Sequence, residues 1–229
     1  MSRIEELLKA LPERGPHGRY VGPHEIEGLE MTGAAFPSEK ALVKIEPGYK
    51  VEVAKNCYQV PLLITANVHR SLIMDVLEDL IDQLGNDLEV ILETSHDLPV
   101  GSYEDLYVPY CLEPLVVKSY LRQYEDLLLN DGGTGIAVLN SSTGFQVQLN
   151  EDKKVVVYVV NREDLEKAKM ILESYEIPQR PMLVTVGEVE HYRNLDPAYA
   201  RQFIEFAYNI GAEKEDRGMG DGEIDFTPC

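Results

Sequence analysis

The sequence predicts an α+β protein made of two similar units, each running strand-strand-strand-helix-strand-helix. The sheet is expected to be predominantly antiparallel, with helices on one face. Three observations carry this expectation. Apolar residues recur at helical spacing in separate segments, each flanked by short segments of strand character rich in Val, Ile and Leu. Turn residues (Glu46-Pro47-Gly48, Ser141-Ser142-Thr143-Gly144 and Asn150-Glu151-Asp152-Lys153) stand between neighbouring strand segments, as hairpins require. The order of elements also recurs: strand starts at 41, 49, 60 and 88 are matched by starts at 134, 145, 154 and 182. Residue identity between the halves is negligible, so this internal duplication rests on order and spacing alone.

The chain divides accordingly into four parts. Residues 1–37 hold a short helix, capped by Ser2 and ended by Pro12, then a loop with five Gly and three Pro. Residues 38–131 form the first unit and 132–211 the second, and 212–229 make a Gly-rich, acidic, mobile tail. In the first unit, 41–46 and 49–54 read as a hairpin and 58–66 as a central strand, apolar on both faces in its second half. Ile73, Val76, Leu77, Leu80, Ile81 and Leu84 share one helical face, and Gly85 stands where a left-handed cap is wanted. Residues 88–93 alternate as a half-buried strand does. Glu113-Pro114 opens a helix, with Pro at its first position, that reaches about residue 129.

In the second unit, 135–139, 145–149 and 155–160 read as a meander. The last of these is an uncharged run that mid-sheet burial and the gatekeepers Lys153 and Lys154 keep from aggregating. Asn161, with Asp164 three residues on, caps the next helix. Residues 182–186 read as a strand, and Asp196-Pro197 starts a last helix that Gly211 ends.

Net charge is −19, and residues 38–131 hold seventeen acids against seven bases. Between Arg70 and Lys118 there is no Lys or Arg, yet there are eleven carboxylates. Such a field repels nucleic acid and anionic membranes and attracts basic proteins. The plain alternative is a solvated acidic surface. A hydrophobic fraction of 44% is too high for a disordered chain, and the longest aliphatic-aromatic run, residues 155–160, is too short to span a bilayer. Cys57, Cys111 and Cys229 lack zinc-like spacing and cannot all pair, which points to reduced thiols and a cytoplasmic setting.

The best reading is a non-enzymatic acidic protein that engages a basic protein partner. Its expected contacts are Asp75, Glu78, Asp79, Asp82, Tyr103, Glu104, Asp105 and Tyr107, because tyrosine beside acid on a lysine-poor surface suits such a partner. The alternative is a small-molecule or catalytic site in a groove between the units. There His96 and His191 would follow equivalent strands, with Glu188 and Glu190 on one strand face beside them. Ser95-His96-Asp97 is not a triad, since adjacent residues cannot face one another. No phosphate cradle or other cofactor motif is present, and His17 and His24 sit too far apart in an irregular loop to fix a metal.

Overall fold

The computed structural model describes residues 25–26, 28–38, 44–53, 62–96 and 104–214, with backbone alone at 25, 26 and 104. Strands β4 (Gly48–Val53), β5 (Leu62–Asn67), β6 (Glu89–Thr94), β7 (Glu104–Tyr107), β8 (Thr134–Asn140), β9 (Phe145–Leu149), β10 (Val155–Val159) and β12 (Glu213–Lys214) form one sheet. Their order is β12-β7-β6-β8-β9-β10-β5-β4, and every neighbouring pair is antiparallel. The expected meander β8–β9–β10 is therefore present. It lies between β5 and β6, so strands from both halves of the chain complete one sheet.

Among the described residues there are five helices: α1 (Ile73–Ile81), α2 (Pro114–Gln123), α3 (Glu125–Asn130), α4 (Arg162–Ser174) and α5 (Pro197–Ile210). Alternation along each strand explains where they sit. Ile64, Ala66, Val90, Leu92, Ile136, Val138, Val147, Val155, Val157 and Val159 point to one side and join buried residues of all five helices in the main core. Ala137 and Val156 point to the other side and are buried outside that core. Among the described residues the helices thus cover one face, as expected, and none lies on the opposite face.

Local signals behave as their chemistry demands. The Asn161 side chain accepts from the Asp164 amide, Asp196 accepts from the Ala198 amide, and Gly85 and Gly211 take left-handed φ angles of 86° and 76°. The helix expected from 114 to 129 is interrupted at Tyr124 (φ −108°, ψ 21°), whose ring stacks on Phe206 of α5 at 4.4 Å between centroids.

Three expectations need correction. Residues 182–186 are not a strand: a turn there leads into a 3-10 turn (Val186–Glu188), closed by a Thr185–Glu188 capping box. The strand comes later, as β11 (His191–Arg193). It pairs with β3 (Ala35–Pro37) in a separate two-stranded sheet, so the second unit lacks a fifth element in the main sheet. Residues 44–46 are not in a strand, and the rest of the first expected strand lies outside the described residues. Part of the loop expected up to 37 is ordered, as β3 and as a hairpin of β1 (Glu25–Ile26) and β2 (Leu29–Glu30). Among the described residues no helix is long and apolar enough to cross a membrane.

Candidate functional site

The acids of α1 do not form an open field. Arg122 of α2 bonds Glu78 and reaches Asp75 at 2.5 Å, and Lys118 bonds Asp82 at 2.6 Å. The Tyr175 hydroxyl donates to Asp79 at 2.7 Å. Burial, and then that bond, push the Tyr175 phenol up to about 12. Thirty-six to ninety-six residues separate these partners along the chain, so two cations and a phenol from outside the stretch offset part of its charge in space.

The acid character survives elsewhere, on the helix-free face. There β6, β7 and β12 carry Glu89, Ile91, Glu93, Asp105, Tyr107 and Glu213, four of them carboxylates, and Asp105 and Tyr107 hold interactions within the chain. Glu93 and Asp105 are directly opposed across the β6–β7 ladder, and Tyr107 is opposed to Ile91. Like charges so placed destabilise a strand pair. Glu93 bends the other way, over β8. A side chain at Gly135 would stand 2.6 Å from its Oε2, so glycine leaves the path by which Oε1 accepts the Gln148 amide at 2.6 Å. Burial, and then the Asp105 charge, push the Glu93 carboxyl up to about 7. Of the other expected contacts, Glu104 lies in β7 by its backbone, and Tyr103 lies outside the described residues.

The residues of the alternative site engage different partners. His96 is buried just beyond β6, with Nε2 2.7 Å from Asp131 Oδ2. His191 instead faces the Val189 carbonyl through Nδ1 (2.8 Å) and Asp152 through Nε2 (3.2 Å). Glu188 turns back to accept from the Thr185 amide and from Lys50, at 2.7 and 2.8 Å. Burial pushes its carboxyl up, but the Lys50 and Thr185 bonds outweigh this and hold it below its ordinary value. Glu190 is exposed. With no strand at 188–190, the two glutamates do not alternate along a strand as expected.

Around His96 stands a polar cluster that the sequence does not announce. Asp131, fully buried, also accepts from the Gly133 amide at 3.2 Å and from the Thr134 hydroxyl at 2.5 Å. Lys153, expected as a surface gatekeeper, is 4% exposed and donates to the Thr134 carbonyl at 2.5 Å. Its left-handed backbone (φ 61°) at the β9–β10 turn accompanies this inward placement. Burial pushes its ammonium down to about 8, against the pull of Asp131, Glu151 and Asp152. Since Asp131 already takes three protein donors, the cluster reads as a structural tie between the end of β6, the start of β8 and the turn.

No group of three or more His, Cys, Asp or Glu side chains suited to a metal occurs among the described residues. Comparison with protein-family models, with curated proteins and with solved structures finds no match to this chain.

Proposed function

We propose that this chain is a non-enzymatic binding protein that receives a basic protein surface on the β6–β7–β12 part of its helix-free face. One observation supports the reading: three neighbouring strands at one edge of the sheet place four carboxylates, Ile91 and Tyr107 on one face. Charge of one sign steers an oppositely charged partner, while tyrosine and isoleucine supply apolar contact. The Asp75, Glu78, Asp79 and Asp82 side chains already engage Arg122, Tyr175 and Lys118 at the surface, which favours the other face. A reducing, cytoplasmic setting goes with this reading, because Cys111 is exposed and not in a disulfide.

Affinity capture with three versions of the full chain tests it. A basic partner should bind the wild type, elute as salt rises, and be lost with Glu89→Lys/Asp105→Lys. Glu78→Lys/Asp82→Lys should retain it. Retention by the first variant and loss by the second would place the contact on α1 and sink the proposal.

A further inference from the structure

We propose that the helix-free face seats this chain's own N-terminal segment, residues 3–14, with the apolar stripe of that segment on β8, β9 and β10 and its arginines at the carboxylates of β6. The seat adjoins the β6–β7–β12 docking face and does not depend on it.

The strands define the surface. Their register places Leu63, Thr65, Ala137, Leu139, Val156 and Tyr158 on the side that carries Glu89 and Glu93. An antiparallel sheet with one side in water keeps polar residues there, but most of these six are apolar. None belongs to the main core, yet Ala137, Val156 and Thr65 are only 1%, 4% and 6% exposed. Burial also raises the Tyr158 phenol above its ordinary value. Apolar, shielded positions on a sheet face call for a cover, and among the described residues no helix supplies one.

Charge and length select the occupant from the segments that lie outside the described residues. Residues 97–103 and 215–229 carry more acids than bases, and Glu89 and Glu93 repel them. Residues 39–43 and 54–61 are five and eight long and joined to the fold at both ends, too short to lay a helix on the face. Residues 1–24 hold four bases against three acids, while 25–229 hold seventeen against thirty-seven. Within them Ile4, Leu7, Leu8 and Leu11 fall on one helical face, with Arg3 before it and Arg14 after it.

The dimensions agree. A helix over residues 3–11 is about 14 Å long and about 10 Å wide. Glu89 and Glu93 stand about 13 Å apart along β6, and the three strands β8 to β10 span about 10 Å. Laid along β9, the helix fills this surface and brings a cation toward each carboxylate. The tether suffices: Glu30 of the β1–β2 hairpin accepts from Ser71, just beyond β5, at 2.5 Å, and residues 12–24 can extend about 40 Å from there.

Hydroxyl-radical footprinting of the full chain tests this seat. Leu139 and Tyr158 should be protected in the wild type and label severalfold more in Leu7→Asp/Leu8→Asp. Leu77 and Leu92, on the helix-covered side, should stay protected in both, which shows the variant folded. Arg3→Glu/Arg14→Glu, which keeps the apolar stripe, should give a smaller rise. A synthetic peptide of residues 2–15 added to the leucine variant should restore protection, and do so less well as salt rises. Equal labelling of Leu139 and Tyr158 in the wild type and both variants, or a peptide that restores nothing, would overturn the inference.

Discussion

Asp131 shows how one side chain holds a loop without forming a site. It follows α3 directly, and its carboxylate gathers the His96 ring, the Thr134 hydroxyl and the Gly133 amide at full burial. Its charge also offsets part of the cost of burying the Lys153 ammonium. Taking the carboxylate away leaves three donors unmatched and a buried cation short of a counter-charge. Asp131→Ala should therefore cost about 3–5 kcal/mol, the range for breaking a buried ion pair from one side. Asp131→Asn should cost less, because an amide oxygen still accepts from Gly133. Urea midpoints of the two variants check this; an Asp131→Ala midpoint within error of wild type would mean the cluster contributes nothing to stability.

Helices α1 and α2 show the opposite economy, a charged network on the surface. Arg122 bonds Asp75 and Glu78 with its side chain 43% exposed, so water and salt compete with it. Arg122→Ala should lower stability by only about 1 kcal/mol, with a smaller loss at high salt, as thermal unfolding at two ionic strengths would show. Elements of this length also mark what a reader of the sequence can recover. Helices α1 and α4 and the β8–β10 meander each carry their period within a contiguous run, and α4 is capped locally by Asn161. Strands β7, β11 and β12, four residues or fewer, hold too little sequence to show a period and exist through their partners. Residues 182–186 mislead because Leu183 and Val186 are buried from a turn rather than from a strand. The candidate site was legible only in part. Asp105 and Tyr107 stand out by composition, but Glu93 depends on Gly135 and Gln148, 42 and 55 residues further along the chain. Pairing across the sheet sets its chemistry, and no local pattern encodes that pairing.

For the whole molecule, the sheet order makes stability depend on groups from both halves at once, and this fixes the shape of its pH dependence. Two buried titrations act in opposite directions. Glu93 has its folded value raised from 4.5 to about 7, so the stability it contributes is full below 4.5 and is lost as pH rises through about 7. Lys153 has its folded value lowered from 10.5 to about 8, so its contribution is full above 10.5 and is lost as pH falls through about 8. At the acid end Glu30 and Glu188 lie below their ordinary values. The first is held by the Ser71 hydroxyl against burial, and the second by Lys50 and Thr185 against burial. What they contribute is present above 4.5 and disappears as pH falls through their lowered values. Together these place a stability maximum near pH 5 and a shallow minimum between about pH 7 and 8. A net charge of −19 deepens that minimum, since self-repulsion grows as carboxyls ionise. Urea midpoints at constant ionic strength across pH 4 to 10 should trace this curve. Glu93→Gln should flatten the limb between pH 5 and 7 and leave the alkaline limb unchanged, and Lys153→Met should do the reverse. A wild-type midpoint that climbs steadily from pH 5 to 8 would show that Glu93 is not held in a charge-disfavouring place.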